Sequence, residues 1–218
     1  MDDSARLQTI FERLQAASVD WDDTSMEPYN RQPFKALIAA MLSTQTREEQ
    51  TAAASEALFA VADTPAAVMD IGPGAVREAI RPASFYNNKT DYIMGIAEIL
   101  LRDYDGEVPH DLNDLMALPG IGYKVAVLVR YVAYGYTDHI TVDTHVDRIA
   151  KRLGIIAPTV KGTEKVGKAL EAELPPEMYG DWNALMVMFG REVCRARGPK
   201  CDTCFLADLC PRVGVAAD

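Results

Sequence analysis

The chain has 218 residues, is 49% hydrophobic and carries 22 lysines and arginines against 32 aspartates and glutamates, a net charge of −10. That length and apolar content bury a core in one domain or two small ones, and so acidic a balance excludes a surface that is basic all over. No run of about 18 uncharged apolar residues occurs, which excludes a membrane-spanning helix. The start, MDDSARLQTIFERL, is acidic and amphipathic where a secretory signal is basic and then apolar, so a soluble cytoplasmic protein without membrane contact is expected.

Apolar residues recur at helical spacing almost throughout. The predicted helices are 3–17, 32–43, 47–62, 65–70, 73–81, 87–104, 111–117, 123–135, 144–153, 161–173 and 178–193, separated by Pro, Gly, Asn or Asp. Only HITV, just before Asp143, has a β flavour, and it is too short to imply a sheet. The expected class is all-α, with no internal repeat and no low-complexity tract. The charge is unevenly spread: residues 1–30 hold seven acids against Arg6 and Arg13, a local sum of −5, whereas Leu118 to Tyr136 contains Lys124 and Arg130 and no acid.

In ALPGIGYKVA the helix 111–117 stops at Leu118-Pro119, Gly120 and Gly122 allow a tight turn and close approach, and a new helix opens near Tyr123. Backbone N–H groups at such an opening suit a phosphate, although a Gly-x-Gly between helices also makes an ordinary helical corner. Lys124 stands within the first turn, where the helix dipole opposes a cation. A helix start disfavours the ammonium form, and with partial desolvation this suits an amine that must act unprotonated. About twenty residues on, Asp143 lies where an extended run meets the helix 144–153; an N-cap is the local reading for it, and packing or hydrogen bonding the local reading for His145.

All four cysteines, Cys194, Cys201, Cys204 and Cys210, crowd into CRARGPKCDTCFLADLC with spacing C-x6-C-x2-C-x5-C. Crowding of this kind in a chain without a secretion signal points to metal rather than to disulfides. Soft thiolates select zinc or an iron-sulfur cluster, and spacing alone leaves the two even.

LPGIGYKVA, VDTHVDR and the cysteine tail, with PFKALIAAMLSTQT and FYNNK upstream, together resemble the helix-hairpin-helix DNA glycosylase superfamily, most closely its endonuclease III branch. The resemblance runs from about Arg6 to Pro211 and tips the cysteines toward one [4Fe-4S] cluster. It implies two helical domains with DNA bound across a cleft between them. One is a six-helix unit over 22–136; the other joins 1–21 to 137–218 and carries the cluster. It further implies a monomer acting on double-stranded DNA with damaged bases or abasic sites, associated with the nucleoid in a prokaryote.

By the same resemblance, Gly120 and Gly122 belong to a hairpin that grips phosphate, Lys124 is the nucleophile that forms a Schiff base with the sugar, and Asp143 activates it. Gln45 resembles the residue that fills the gap left by a flipped nucleotide, with helix-end capping as its local alternative. Phe85 lies where an apolar wedge enters the duplex, with core packing as the alternative. Arg195, Arg197 and Lys200 resemble a basic cluster loop that touches phosphates, against a solvated surface. The chain departs from the family in three respects: Tyr123-Lys124-Val125 replaces the common Arg-Lys-Thr, Met116 stands where relatives often carry an acid, and the whole is acidic. These departures bear on substrate range and turnover.

The activity implied is that of a bifunctional base excision repair glycosylase and abasic-site lyase for oxidised pyrimidines. The alternatives are a monofunctional glycosylase for mismatched or alkylated bases and a weakly active or non-catalytic DNA-binding relative. Lys124 argues against the former, and Lys124 with Asp143 against the latter.

Overall fold

The structure, a computed structural model, describes residues 2–21 and 27–215, and among these every regular element is helical. The described residues form two compact units, 2–21 with 137–215 and 27–136. The domain boundary expected after residue 21 borders 22–26, which lie outside the described residues.

The first unit begins with α1, Asp3–Ser18, whose N-cap Asp2 accepts the Ala5 amide at 2.7 Å. Leu7, Ile10, Phe11 and Leu14 recur at the i, i+3, i+4, i+7 spacing of one helical face, and all four are buried. They pack toward α10, Tyr179–Glu192, which buries Trp182, Leu185, Met186 and Phe189 at the same spacing. The Phe11 and Trp182 rings lie nearly parallel, 6.2 Å apart. α8, Thr144–Arg152, adds Val146, Ile149 and Ala150, and α9, Thr163–Glu173, adds Val166 and Leu170. HITV runs as a connection between elements, with Ile140 and Val142 buried in this core.

The second unit is built around α2, Pro33–Leu42, in which every residue from Ala36 to Leu42 is buried. A helix apolar on all sides belongs at the centre, and α2 is flanked by α3, Glu48–Phe59, and α7, Tyr123–Tyr134. α4, Pro65–Ala79, joins the two segments predicted as 65–70 and 73–81 across a break at Gly72, where φ is 73° and Pro73 follows. Its long neighbour α5, Tyr86–Asp103, turns Lys89, Ile93, Ile96 and Leu100 inward. α6, Leu112–Ala117, is short and leads into the glycine turn. α7 ends at Gly135 in the left-handed conformation (φ 74°), with the Gly135 and Tyr136 amides bonded back to Tyr131 and Arg130 carbonyls. Among the described residues no helix is long and apolar enough to cross a membrane.

Candidate functional site

The glycine turn is seated on α5. Gly120 has φ +74°, and a Cβ there would stand 2.5 Å from the Tyr92 ring, so the position needs glycine for conformation and for space. Gly95 supplies matching relief, since Pro119 Cγ already lies 3.2 Å from where its Cβ would be. Gly122 differs. Its φ of −99° suits any residue and nothing lies within 4 Å of its missing Cβ. Its openness is toward the outside, as an approaching ligand would require. No side chain caps the start of α7 behind it.

Lys124 is half-buried in the first turn of α7, between the buried Tyr123 and Val125. The two departures from the usual Arg-Lys-Thr therefore serve the core, while Met116 is exposed.

In the other unit, Asp143 caps α8: its Oδ1 accepts the amides of His145 and Val146, each at 2.9 Å. Its Oδ2 lies 2.9 Å from His145 Nδ1. Capping and a second role are thus compatible, because one oxygen serves the helix and the other the imidazole. Only 19% of the Asp143 side chain is exposed. Gly190 on α10 makes room for this pair, since a Cβ there would stand 2.4 Å from His145 Cδ2 and 2.9 Å from Arg148 Nη2. The His145 ring contact follows from THV after the aspartate. The space given by Gly190, 45 residues away, leaves no sequence signal.

Gln45 and Phe85 both have left-handed backbones, φ 51° and 57°, unusual for residues with side chains. α2 ends at Leu42 and Ser43 takes its cap position, so Gln45 is not a helix cap; it lies exposed in the following turn. Phe85 is 62% exposed at the start of α5, which rules out core packing for it. Strained, exposed positions of this kind are retained where a side chain must be presented.

The four cysteines are half-buried and form no disulfide. Burial pushes the thiols of Cys204 and Cys210 up, and the charge of Cys194 and Cys201 raises both further. Four soft thiolates brought onto one loop, with no carboxylate or imidazole among them, are the donor set that an iron-sulfur cluster takes.

Hydrogen bonds toward the sulfurs come from the Leu206 amide to Cys204, the Arg212 amide to Cys210 and Arg152 Nη1 to Cys194, all at 3.4 Å, a pattern that steadies thiolate charge. Arg152 also donates to the Arg195 carbonyl at 2.7 Å and the Ala196 carbonyl at 3.1 Å. Arg148, whose pKa burial lowers, reaches the Cys194 carbonyl at 3.1 Å. From α1, Arg6 donates to the Leu209 carbonyl and Arg13 to that of Phe205. These arginines are the loop's scaffold, although in the sequence each looks like an ordinary surface cation. Arg195, Arg197 and Lys200 are exposed on the loop so held.

Residues 38–176 match the family of HhH-GPD superfamily base excision DNA repair proteins, and residues 194–210 match the iron-sulfur binding domain of endonuclease III. The chain is 38% identical to Endonuclease III of Thermotoga maritima over 82% of each protein. It is 38% identical to the Endonuclease III-like protein 1 of Bos taurus over 87% of its own length and 62% of that longer protein. Two solved structures, a non-covalent Endonuclease III–DNA complex and a trapped Endonuclease III–DNA covalent intermediate, each align at a TM-score of 0.86 and 32% identity over 97% of both chains. The cysteine tail accordingly holds a [4Fe-4S] cluster. From the hairpin seated on α5, the capped aspartate and this tail, matched in order along almost the whole length, it follows that the chain belongs to the endonuclease III family of helix-hairpin-helix base excision repair proteins.

Proposed function

We propose that this chain excises oxidised pyrimidines from double-stranded DNA and then cuts the strand at the resulting abasic site, working as a monomer wherever the chromosome lies. The observation that carries the reading is a half-buried lysine in the first turn of a helix that follows an open glycine hairpin. The hairpin amides hold backbone phosphate and supply position rather than sequence readout. A nucleotide turned out of the stack then meets Lys124.

The Lys124 amine attacks C1′ and the bond from C1′ to the base nitrogen breaks, the base leaving with a proton. Opening of the sugar ring gives a protonated Schiff base. Loss of a C2′ proton expels the 3′-phosphate by β-elimination, and water releases Lys124. Asp143 receives the amine's proton and offsets the positive charge that develops on the sugar, a role supported by its low exposure and its fixed geometry on α8. Gln45 fills the vacated space, Phe85 wedges the opposite side, and Arg195, Arg197 and Lys200 contact phosphate. Bound at Cys194, Cys201, Cys204 and Cys210, the cluster supplies a structural pin for this loop. A trapped covalent intermediate of a related Endonuclease III with DNA supports the covalent route.

The test is base release and strand nicking on duplexes carrying thymine glycol, dihydrouracil, uracil or an abasic site. Release and nicking of the first two, nicking of the abasic duplex and no action on uracil are expected. Release of uracil without nicking would replace this reading with a monofunctional one.

A further inference from the structure

Among the described residues, Lys89 alone carries a formal charge at a buried position; it is 4% exposed. It stands on the inward face of α5, one turn before Ile93 and two before Ile96, where the helical pattern calls for an apolar residue. Its ammonium has three protons and three acceptors: the Leu42 carbonyl at 2.7 Å, the Thr44 carbonyl at 2.8 Å and Thr46 Oγ1 at 2.7 Å. The first ends α2, and the other two flank Gln45.

Thr46 Oγ1 carries the connection onward. It donates to the Thr44 carbonyl at 3.2 Å and accepts the Ser84 amide at 3.2 Å, beside Phe85. The Lys89 backbone amide completes the loop by donating to the Phe85 carbonyl at 3.1 Å. One residue thus ties together two turns some forty positions apart, each holding its exposed side chain on a left-handed backbone.

A buried cation among neutral oxygens is a poor device for stability, since an apolar side chain of similar volume is often as good or better. Burial pushes its pKa down to about 8, so the three-donor form still prevails at neutral pH. What the ammonium gives is direction and distance, which an apolar contact does not.

We propose that Lys89 is a positioning residue for base extrusion, its ammonium and the Thr46 hydroxyl fixing the turn of Gln45 against that of Phe85 so that both side chains enter the duplex at one set spacing. The proposal rests on the reading of Gln45 and Phe85 as the residues that enter the duplex. It predicts a defect in extruding a paired base and little effect on the chemistry that follows, because small misplacements of positioned groups are costly in rate.

Single-turnover base release from a thymine glycol duplex and nicking of a duplex with a preformed abasic site separate these steps. Cluster absorbance and melting serve as controls of folding. Lys89→Met is expected to slow base release about 10- to 100-fold, with abasic-site nicking within about twofold of wild type. In a Gln45→Ala/Phe85→Ala background the same substitution is expected to add nothing, which a merely structural role would not produce.

Equal losses in both assays, wild-type base release, or a full additional loss in the double-substituted background would overturn the proposal. Gln45→Ala and Phe85→Ala, each tested alone, isolate the underlying reading: wild-type base release by both would remove that reading and the proposal with it. Loss by both while Lys89→Met stays normal would remove the proposal only. If Lys89→Met does not fold, the Thr46 pair decides: Thr46→Val should lose base release and Thr46→Ser retain it, and a normal Thr46→Val would refute the tie.

Discussion

Gly120→Ala and Gly122→Ala add the same methyl group two residues apart in the hairpin, and the structure assigns them opposite consequences. At Gly120 the methyl meets the Tyr92 ring at 2.5 Å and is placed on a backbone with φ +74°. The left-handed conformation costs an alanine about 1 kcal/mol, and overpacking against a ring adds about 1–3 kcal/mol. The sum, about 2–4 kcal/mol, lowers the melting temperature by about 4–16 °C for a chain of this size.

At Gly122 the backbone is extended and the space empty, leaving only the preference of an N-cap for glycine over alanine, about 0.5 kcal/mol. On the proposed function its methyl instead occupies the face through which phosphate would reach the hairpin. Loss of one hydrogen bond to a charged group, about 1.5–3 kcal/mol, weakens DNA binding by roughly 10- to 150-fold. Calorimetry with a fluorescence titration on an abasic-analogue duplex distinguishes the two. Wild-type DNA affinity for Gly122→Ala would refute the phosphate-gripping role of the hairpin, and equal melting points for the two variants would refute the packing argument.

Three further outcomes are expected. Asp143→Asn keeps an oxygen for the His145 and Val146 amides and so melts within about 1 kcal/mol of wild type, but it slows base release about 30- to 1000-fold, the loss of about 2–4 kcal/mol of charge stabilisation; early melting with normal turnover would leave Asp143 only a cap. Lys89 releases its proton near pH 8 when folded and near 10.5 when unfolded, so above pH 8 the unfolded chain binds more protons and stability rises with pH, by up to about 1.4 kcal/mol per unit, until about 10.5. Urea unfolding of wild type against Lys89→Met at pH 7 and 9.5 checks this, and a pH-independent difference would contradict it. The purified protein should be brown with about four irons and four sulfides per chain, and Cys204→Ser should lose the colour; stoichiometric zinc would contradict the cluster.

Helical spacing made the elements legible: the faces of α1, α5 and α10 are buried at the positions their apolar repeats mark. Within α4 the stop legible at Gly72-Pro73 is real, because Gly72 leaves the helical conformation at φ 73° and the two predicted segments meet there at a kink. The cysteine tail was legible as a metal site from spacing, while the choice between zinc and cluster needed the family resemblance. Burial could not be read for Phe85, an aromatic that spacing would assign to a core and that the turn before α5 turns outward. Nor could the partner of a side chain distant in sequence, as with Gly190 beside His145 or Lys89 beneath Gln45. Lys89 did leave a trace, a lysine where the apolar period of α5 expects an Ile or Leu.

Borohydride trapping decides whether Lys124 is the nucleophile. Wild-type protein incubated with an abasic-site duplex and borohydride should become covalently attached to the strand through a reduced imine, and peptide mapping should find the adduct on Lys124. Lys124→Ala should bind the same duplex, since the hairpin amides remain, and give no adduct. Undiminished trapping by Lys124→Ala, or an adduct mapped to another amine, would place the nucleophile elsewhere.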